Sequence, residues 1–113
     1  MTDHWGMQRL LDTAVPLART PIATELTVSG APEAGFRALT AVAGTEVGVW
    51  EMTRGVARDI EVDEVFVVLS GAASVKFENG DTIELSPGVA VRLREGDKTT
   101  WTVHETLRKL YLT

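Results

Sequence analysis

The sequence predicts a single small all-β domain, built as a closed barrel or as a sandwich of short antiparallel strands. Turn-forming glycines recur at positions 30, 44, 55, 71, 80, 88 and 96, mostly eight to sixteen residues apart, which is the spacing of short strands joined by tight turns. The segments between them alternate apolar with polar residues or are rich in β-branched and aromatic residues. A chain of 113 residues has room for one hydrophobic core.

Six segments carry the strand patterns. Residues 47–52 (VGVWEM) and 65–69 (VFVVL) are continuous runs of strand-forming residues. The other four alternate, which predicts strands with one buried side and one solvent-facing side; they are residues 73–77, 89–93, 100–104 and 107–112. In the last segment, Leu107, Lys109 and Tyr111 share one face, and in the segment before it His104 is expected on the outer face.

Turn chemistry divides these strands. Asn79-Gly80 is the strongest turn, because both residues tolerate the positive φ that a two-residue type I′ hairpin requires. Ser70-Gly71 predicts another point where a strand reverses. An antiparallel sheet of this length has to cover its edges, and a closed barrel or a double-sheet jelly roll does so. An immunoglobulin-like sandwich remains open on these grounds.

The N-terminal part differs from the rest. Residues 5–11 fit a short helix, and Pro16 and Pro21 keep the following stretch extended. We therefore expect residues 1–30 to form a helical or extended arm that packs on a barrel made of residues 31–113.

Composition excludes several classes of function. The net charge of −5 and the scattered basic residues argue against a nucleic-acid or membrane-surface partner, since such binders carry basic patches. The chain has no cysteine, which excludes disulfides and thiolate catalysis. No apolar run is long enough to span a bilayer, and residues 1–10 lack a signal-peptide pattern. We expect a cytoplasmic protein.

From Gly55 onward the sequence resembles the cupin superfamily. Glu64 and Gly71 match the end of the first cupin motif, and Gly88 with Glu95-Gly96 matches the start of the second. More narrowly, TEVGVWE at 45–51, RKLY at 108–111 and VSGAPE at 28–33 resemble small single-domain cupins similar to the cupin domain of ureidoglycine aminohydrolase. The resemblance implies a cupin jelly-roll barrel of short antiparallel strands.

The sequence departs from the cupin pattern at the metal ligands. The histidine positions of the motifs fall on Ala57 and Asp59, or on Arg58 and Ile60 in the shorter spacing, and the third falls on Thr99. Of the three-histidine, one-glutamate set that cupins usually carry, Glu64 remains, with Asp59 as a possible second carboxylate. Iron, nickel and zinc sites normally need imidazole or thiolate ligands. We therefore expect no tightly bound transition metal and no other cofactor.

The barrel mouth is the expected ligand site. Either Trp50 or Glu51 faces inward. The other candidate lining residues are Asp59, Glu64, Arg92, Trp101, Lys109 and Tyr111. The tryptophans are either core residues or walls on which a planar or cationic ligand stacks. Lys109 and Tyr111 are either an exposed pair or, inside a barrel, partners of Glu51 or Glu64. The charged run of Arg54, Arg58, Asp59, Glu61 and Asp63 is expected to be a solvated loop and strand edge.

These observations predict a homodimer that binds a small, polar, nitrogen-bearing molecule such as an amine, a guanidine or a ureide. Dimerisation would cover exposed strand edges. One alternative is a ureide or amino-compound hydrolase or isomerase with Glu64 and Glu51 as acid and base. Another is a structural or regulatory partner protein whose barrel is filled with side chains.

Overall fold

The computed structural model describes residues 9–113, and nine strands make up the sheet in this part of the chain. The strands are β1 (Thr20–Pro21), β2 (Thr27–Ser29), β3 (Glu33–Val42), β4 (Thr45–Met52), β5 (Gly55–Ile60), β6 (Glu64–Phe77), β7 (Thr82–Leu85), β8 (Ala90–Leu93) and β9 (Lys98–Leu112). All of their pairings are antiparallel. The all-β prediction is confirmed.

Two long strands, β6 and β9, tie the sheet together. They pair with each other along most of their length. On the other edge of β9, β5 pairs with its first part and β4 with its last part. On the other edge of β6, β8 pairs with its first part and β7 with its last part. The sheet therefore curls into two halves around one core, which is the predicted jelly-roll architecture.

A bulge bends β6 near its middle. The prediction of a strand reversal at Ser70-Gly71 was wrong, because β6 continues through both residues. The register with β9 shifts between Val68 and Ala73, as it does at β-bulges. Gly71 has a φ of +97°, and a Cβ atom there would lie 2.1 Å from the carbonyl oxygen of Thr106. Glycine is therefore required for the close approach of the two backbones at the bend.

The two-residue type I′ hairpin occurs at Ala43-Gly44 and not at Asn79-Gly80. Ala43 and Gly44 have φ values of +50° and +81° and join the paired ends of β3 and β4. At Asn79-Gly80 the glycine alone has positive φ, and its N–H donates to the carbonyl of Phe77 at 2.8 Å. The Asn79 side chain accepts a hydrogen bond from the Asp81 N–H at 2.9 Å, and this contact stabilises the turn.

One hydrophobic core lies between the two halves, and the alternation expected of the strands accounts for most of it. The buried cluster consists of Met52, Ala57, Phe66, Val68, Ala73, Val75, Leu85, Val91, Leu93, Trp101, Val103, Leu107 and Tyr111. His104 is exposed, as predicted.

The N-terminal segment is held against the outer face of the barrel by charged groups. The Arg108 guanidinium donates hydrogen bonds to the carbonyls of Thr13 and Val15 at 2.9 and 2.7 Å, and to the Glu51 carboxylate at 2.7 Å. Arg19 forms a second ion pair with Glu51 at 2.5 Å. Burial alone would raise the pKa of Glu51, but the hydrogen bonds from the two arginines lower it.

Part of this segment joins the sheet itself. β1 pairs with β3, and β2 pairs with β5. The helix predicted for residues 5–11 falls largely outside the described residues, which begin at residue 9. Within the described residues, no helix has the length and apolar character needed to cross a membrane.

Candidate ligand-binding pocket

A cavity of about 500 Å³ opens between the two halves of the barrel. Its walls come from β3, β4, β5 and β9, from the segment before β2, and from the loop after β5 together with the first residue of β6. The lining residues that matter for its chemistry are Glu46, Trp50, Asp59, Glu61, Glu64, Trp101, Lys109 and Tyr111. Such a volume lies within the range of small-molecule sites.

Lys109 is a buried cation in the wall of this cavity. Its side chain is 6% exposed, and its Nζ forms an ion pair with the Glu64 carboxylate at 2.7 Å. The same Nζ lies 4.7 Å from the ring centroid of Trp50, 4.4 Å from that of Phe66 and 4.9 Å from that of Trp101. Three aromatic faces and one carboxylate compensate for the lost hydration of the ammonium group.

The strand register explains how these groups meet. Lys109 on β9 pairs with Trp50 on β4, so both side chains emerge on the same face of the sheet. Trp50 and Trp101 lie with ring centroids 5.8 Å apart and planes inclined at 50°. The structure thus resolves which of the neighbours on β4 faces inward: Trp50 lines the cavity.

Glu61 is a buried carboxylate on the cavity wall. It accepts hydrogen bonds from the Thr99 hydroxyl at 2.6 Å and from the Trp101 indole N–H at 3.0 Å. Burial raises its pKa, and the nearby Asp59 carboxylate adds to the rise. The expectation that Glu61 belongs to a solvated run was wrong, because its side chain is buried against Thr99 and Trp101, although its neighbours in sequence are exposed.

Asp59 and Tyr111 occupy two other parts of the wall. Asp59 reaches solvent, yet the protein packed around it reduces its hydration and raises its pKa. The Asp59 carboxylate accepts a hydrogen bond from the N–H of Ile60 at 2.8 Å. The Tyr111 hydroxyl donates to Glu46 at 2.7 Å, and burial followed by this carboxylate raises the Tyr111 pKa.

Six of the eight predicted site residues line the cavity. They are Trp50, Asp59, Glu64, Trp101, Lys109 and Tyr111. Glu51 does not, because it projects from the opposite face of β4 and pairs with Arg19 and Arg108. Arg92 is exposed on β8 and pairs with Asp63 at 3.3 Å. The prediction that Glu51 and Glu64 act together as acid and base in one site was therefore wrong, because the two carboxylates point to opposite sides of the sheet.

Two further residues of the site, Glu46 and Glu61, are absent from the sequence-based set. Glu61 carries no local signal, since its partners Thr99 and Trp101 are remote in sequence. The only available signal for Glu46 was its place as the second residue of β4, directly after the Ala43-Gly44 turn.

The site does not fit the metal set that cupins usually carry. At the positions where the motifs place histidines, Ala57 offers no ligand atom, and the Thr99 hydroxyl donates to Glu61. Glu64 is already paired with an ammonium group. Within residues 9–113, no three His, Cys, Asp or Glu side chains are grouped so that they could hold a metal ion.

Comparison with known families agrees with this fold. The sequence model of the EutQ-like cupin domain matches residues 39–111, which is more than half of the chain. The chain belongs to this family. In this EutQ-like cupin, the matched residues run from the end of β3 to the next-to-last residue of β9 and include every cavity carboxylate described above.

Solved structures show the same fold at low sequence identity. A protein of unknown function from Pseudomonas syringae pv. tomato has a TM-score of 0.77 and 22% identity, over 90% of this chain and 46% of that one. The EutQ protein of Clostridium difficile has a TM-score of 0.61 and 19% identity, over 72% of this chain and 61% of that one. A putative ethanolamine utilization protein of Salmonella typhimurium has a TM-score of 0.60 and 15% identity, over 87% and 96%.

The EutQ-like cupin thus spans about half the length of the Pseudomonas protein and about three fifths of the Clostridium protein. No curated protein matches it. These similarities establish the fold, and the chemistry has to be argued from the cavity itself.

Proposed function

We propose that this EutQ-like cupin binds a small, polar, nitrogen-bearing molecule in the barrel cavity, without a tightly bound transition metal. The observation that carries the proposal is the excess of carboxylates in a cavity walled by two indoles. The cavity volume of about 500 Å³ also favours a binding role over that of a barrel filled with its own side chains.

The charge of the cavity favours a cationic ligand. Four carboxylates line it against the two cations of Arg58 and Lys109; the carboxylates are those of Glu46, Asp59, Glu61 and Glu64. Lys109 neutralises Glu64. Asp59, in contrast, forms no ion pair within 4 Å among the described residues, and Lys109, the cation that acts on it from a distance, is already paired with Glu64. We expect Asp59 to pair with a ligand.

The aromatic walls favour the same class. Trp50 and Trp101 both line the cavity, and the Lys109 ammonium group lies over each ring at 4.7 and 4.9 Å from the centroids. An ammonium or guanidinium group on an indole face gains about 0.5–2 kcal/mol, depending on how far it is desolvated.

A panel of small amines, guanidines and ureides tests the proposal by calorimetry. Ethanolamine belongs in it, because one similar structure is described as a putative ethanolamine utilization protein. We expect at least one cationic member to bind, and both Asp59→Asn and Glu64→Gln to weaken its binding by tenfold or more. Glu84→Gln, an exposed carboxylate change on β7 outside the cavity, is the matched control. Binding that is unaffected by both cavity variants would contradict the proposal.

A second function, hydrolysis or isomerisation of an amino compound or ureide, is favoured by one observation. Asp59 and Glu61 both lie on the cavity wall and both have a raised pKa, as groups that exchange protons near neutral pH require. Incubation with the ureides of the panel, followed by ammonia detection, tests it. Release that Asp59→Asn abolishes would support hydrolysis at this site. Release that survives the change would contradict the role of Asp59, and no release by the native chain would contradict the hydrolytic function itself.

A further inference from the structure

We infer that the ligand is an amphiphilic cation, whose charged head enters the cavity and whose apolar tail lies across the rim. This inference rests on the proposed function and adds the class of the ligand. It is carried by the distribution of polarity in the cavity, which has charged groups inside and exposed apolar side chains at the entrance.

The apolar rim consists of Leu26, Phe36, Ile60 and Val62. Their exposed fractions are 38%, 67%, 65% and 55%, and all four line the same cavity as Lys109 and Glu61. They come from different parts of the chain: the segment before β2, β3, the end of β5 and the loop that follows β5. Local sequence therefore does not account for their convergence around one opening.

The apolar rim also stands out against the rest of the surface. Eight large hydrophobic residues are exposed among the described residues, and half of them form the rim. Exposed apolar residues scattered singly are ordinary, whereas a contiguous patch next to a cavity marks a binding surface.

The carboxylate of Asp59, which lines the same cavity, limits what can cover the apolar rim. A second copy of the chain or another protein laid flat over it would enclose Asp59, whose nearest interacting cation, Lys109, is already paired with Glu64. Burying a carboxylate without an ion pair of its own is costly. A molecule with an ammonium head and a hydrocarbon tail pairs with Asp59 and removes the apolar rim from water at the same time.

A series of n-alkylammonium ions from ethyl to octyl tests the inference by calorimetry. Each added methylene that reaches the rim should lower Kd roughly two- to fourfold. The n-alkanols of equal length should bind at least about tenfold more weakly, since they cannot form the charge-assisted contact. Light scattering of the same samples reports the mass of the protein in each titration.

Rim variants locate the tail. Phe36→Ser and Ile60→Ser should each reduce the gain per methylene by half or more. Val42→Ser removes an exposed apolar side chain from the same strand, β3, outside the cavity, and should leave the series unchanged. Asp59→Asn should weaken every amine by a similar factor and leave the gain per methylene intact.

Each contrary result overturns a defined part of the argument. If ethylammonium binds but chain length has no effect, the amphiphilic ligand is wrong and the proposed function stands. Equal affinities of alkanols and amines would overturn the charged head, and a gain per methylene that survives both rim variants would overturn the place of the tail. A dimer that Phe36→Ser converts to monomer would show that a second copy covers the rim. If no alkylammonium ion binds but a guanidine or a ureide of the first panel does, the amphiphilic cation is wrong and the proposed function stands. If no member of either set binds, both proposals fail.

Discussion

Replacing Lys109 by methionine tests whether the ion pair with Glu64 organises the cavity. Methionine keeps the length of the side chain and can pack against the three rings. The change removes the ammonium group and leaves the Glu64 carboxylate without its partner at 2.7 Å. The two side chains are 6% and 12% exposed, so water does little to compensate.

The expected loss is large for a single substitution. Removing one partner of a buried ion pair costs about 3–5 kcal/mol, and the favourable packing of methionine places the expectation at the lower end, about 3 kcal/mol. For a domain of this size that corresponds to a fall in Tm of roughly 10–20 °C. Urea titrations at pH 7, followed by tryptophan fluorescence and circular dichroism, measure the free energy of unfolding.

The double variant decides the interpretation. Glu64→Gln removes the orphaned charge, so Lys109→Met combined with Glu64→Gln should regain at least half of the stability that Lys109→Met loses. If the effects of the two single substitutions instead add to within about 0.5 kcal/mol, the two groups are not coupled. The conclusion that Lys109 and Glu64 stabilise each other as an ion pair in the cavity would then be refuted.

Further predictions concern the buried carboxylates, the bend and the oligomeric state. Because the pKa of Glu61 is raised, its contribution to stability is present below the ordinary glutamate value of 4.5 and is lost as pH rises. In urea titrations, Glu61→Gln should therefore gain stability relative to the native chain between pH 4 and pH 7. The lowered pKa of Glu51 has the opposite sign; Glu51→Gln should be less stable than the native chain at pH 7, and the difference should shrink as pH falls below 4.5. Gly71→Ala should lower the free energy of unfolding by about 3 kcal/mol or more, because strain at positive φ adds to the clash with a neighbouring backbone. Gly88→Ala is the control: with φ of +95° and open space around it, it should lower that free energy by only about 1–2 kcal/mol. We propose that the chain forms a homodimer, for which light scattering should give a mass near twice 12.3 kDa; a mass near that of one chain would contradict it.

Local pattern in the sequence predicted β4, β8 and the two long strands β6 and β9, each of the long strands as two segments. It did not predict β3, β5 or β7, and it named six of the residues that line the cavity. Alternation along β9 placed Lys109 and Tyr111 on one face, which the structure confirms is the inner one. Alternation alone could not decide between Trp50 and Glu51, because both neighbours on β4 are covered by other parts of the chain. Trp50 is half-buried against the core, and Glu51 is buried under the N-terminal segment.

Contacts between distant residues could not be predicted in this way. Glu61 looks like one charge in a solvated run until the pairing of β5 with β9 brings Thr99 and Trp101 to it. At Gly71 the same residue type serves a turn or a bulge equally well, and only the approach of Thr106 from β9 decides which.

The central position of β9 has a consequence for synthesis on the ribosome. β4, β5 and β6 are all translated before Lys98–Leu112, the strand to which each of them is hydrogen-bonded. Until that segment emerges, their inner apolar faces and one edge of each lack a neighbour, which is the condition under which nascent β-rich chains aggregate or recruit chaperones. Closure of the barrel is therefore a late event in the production of this chain, and it depends on contacts between segments far apart in sequence, which slow folding.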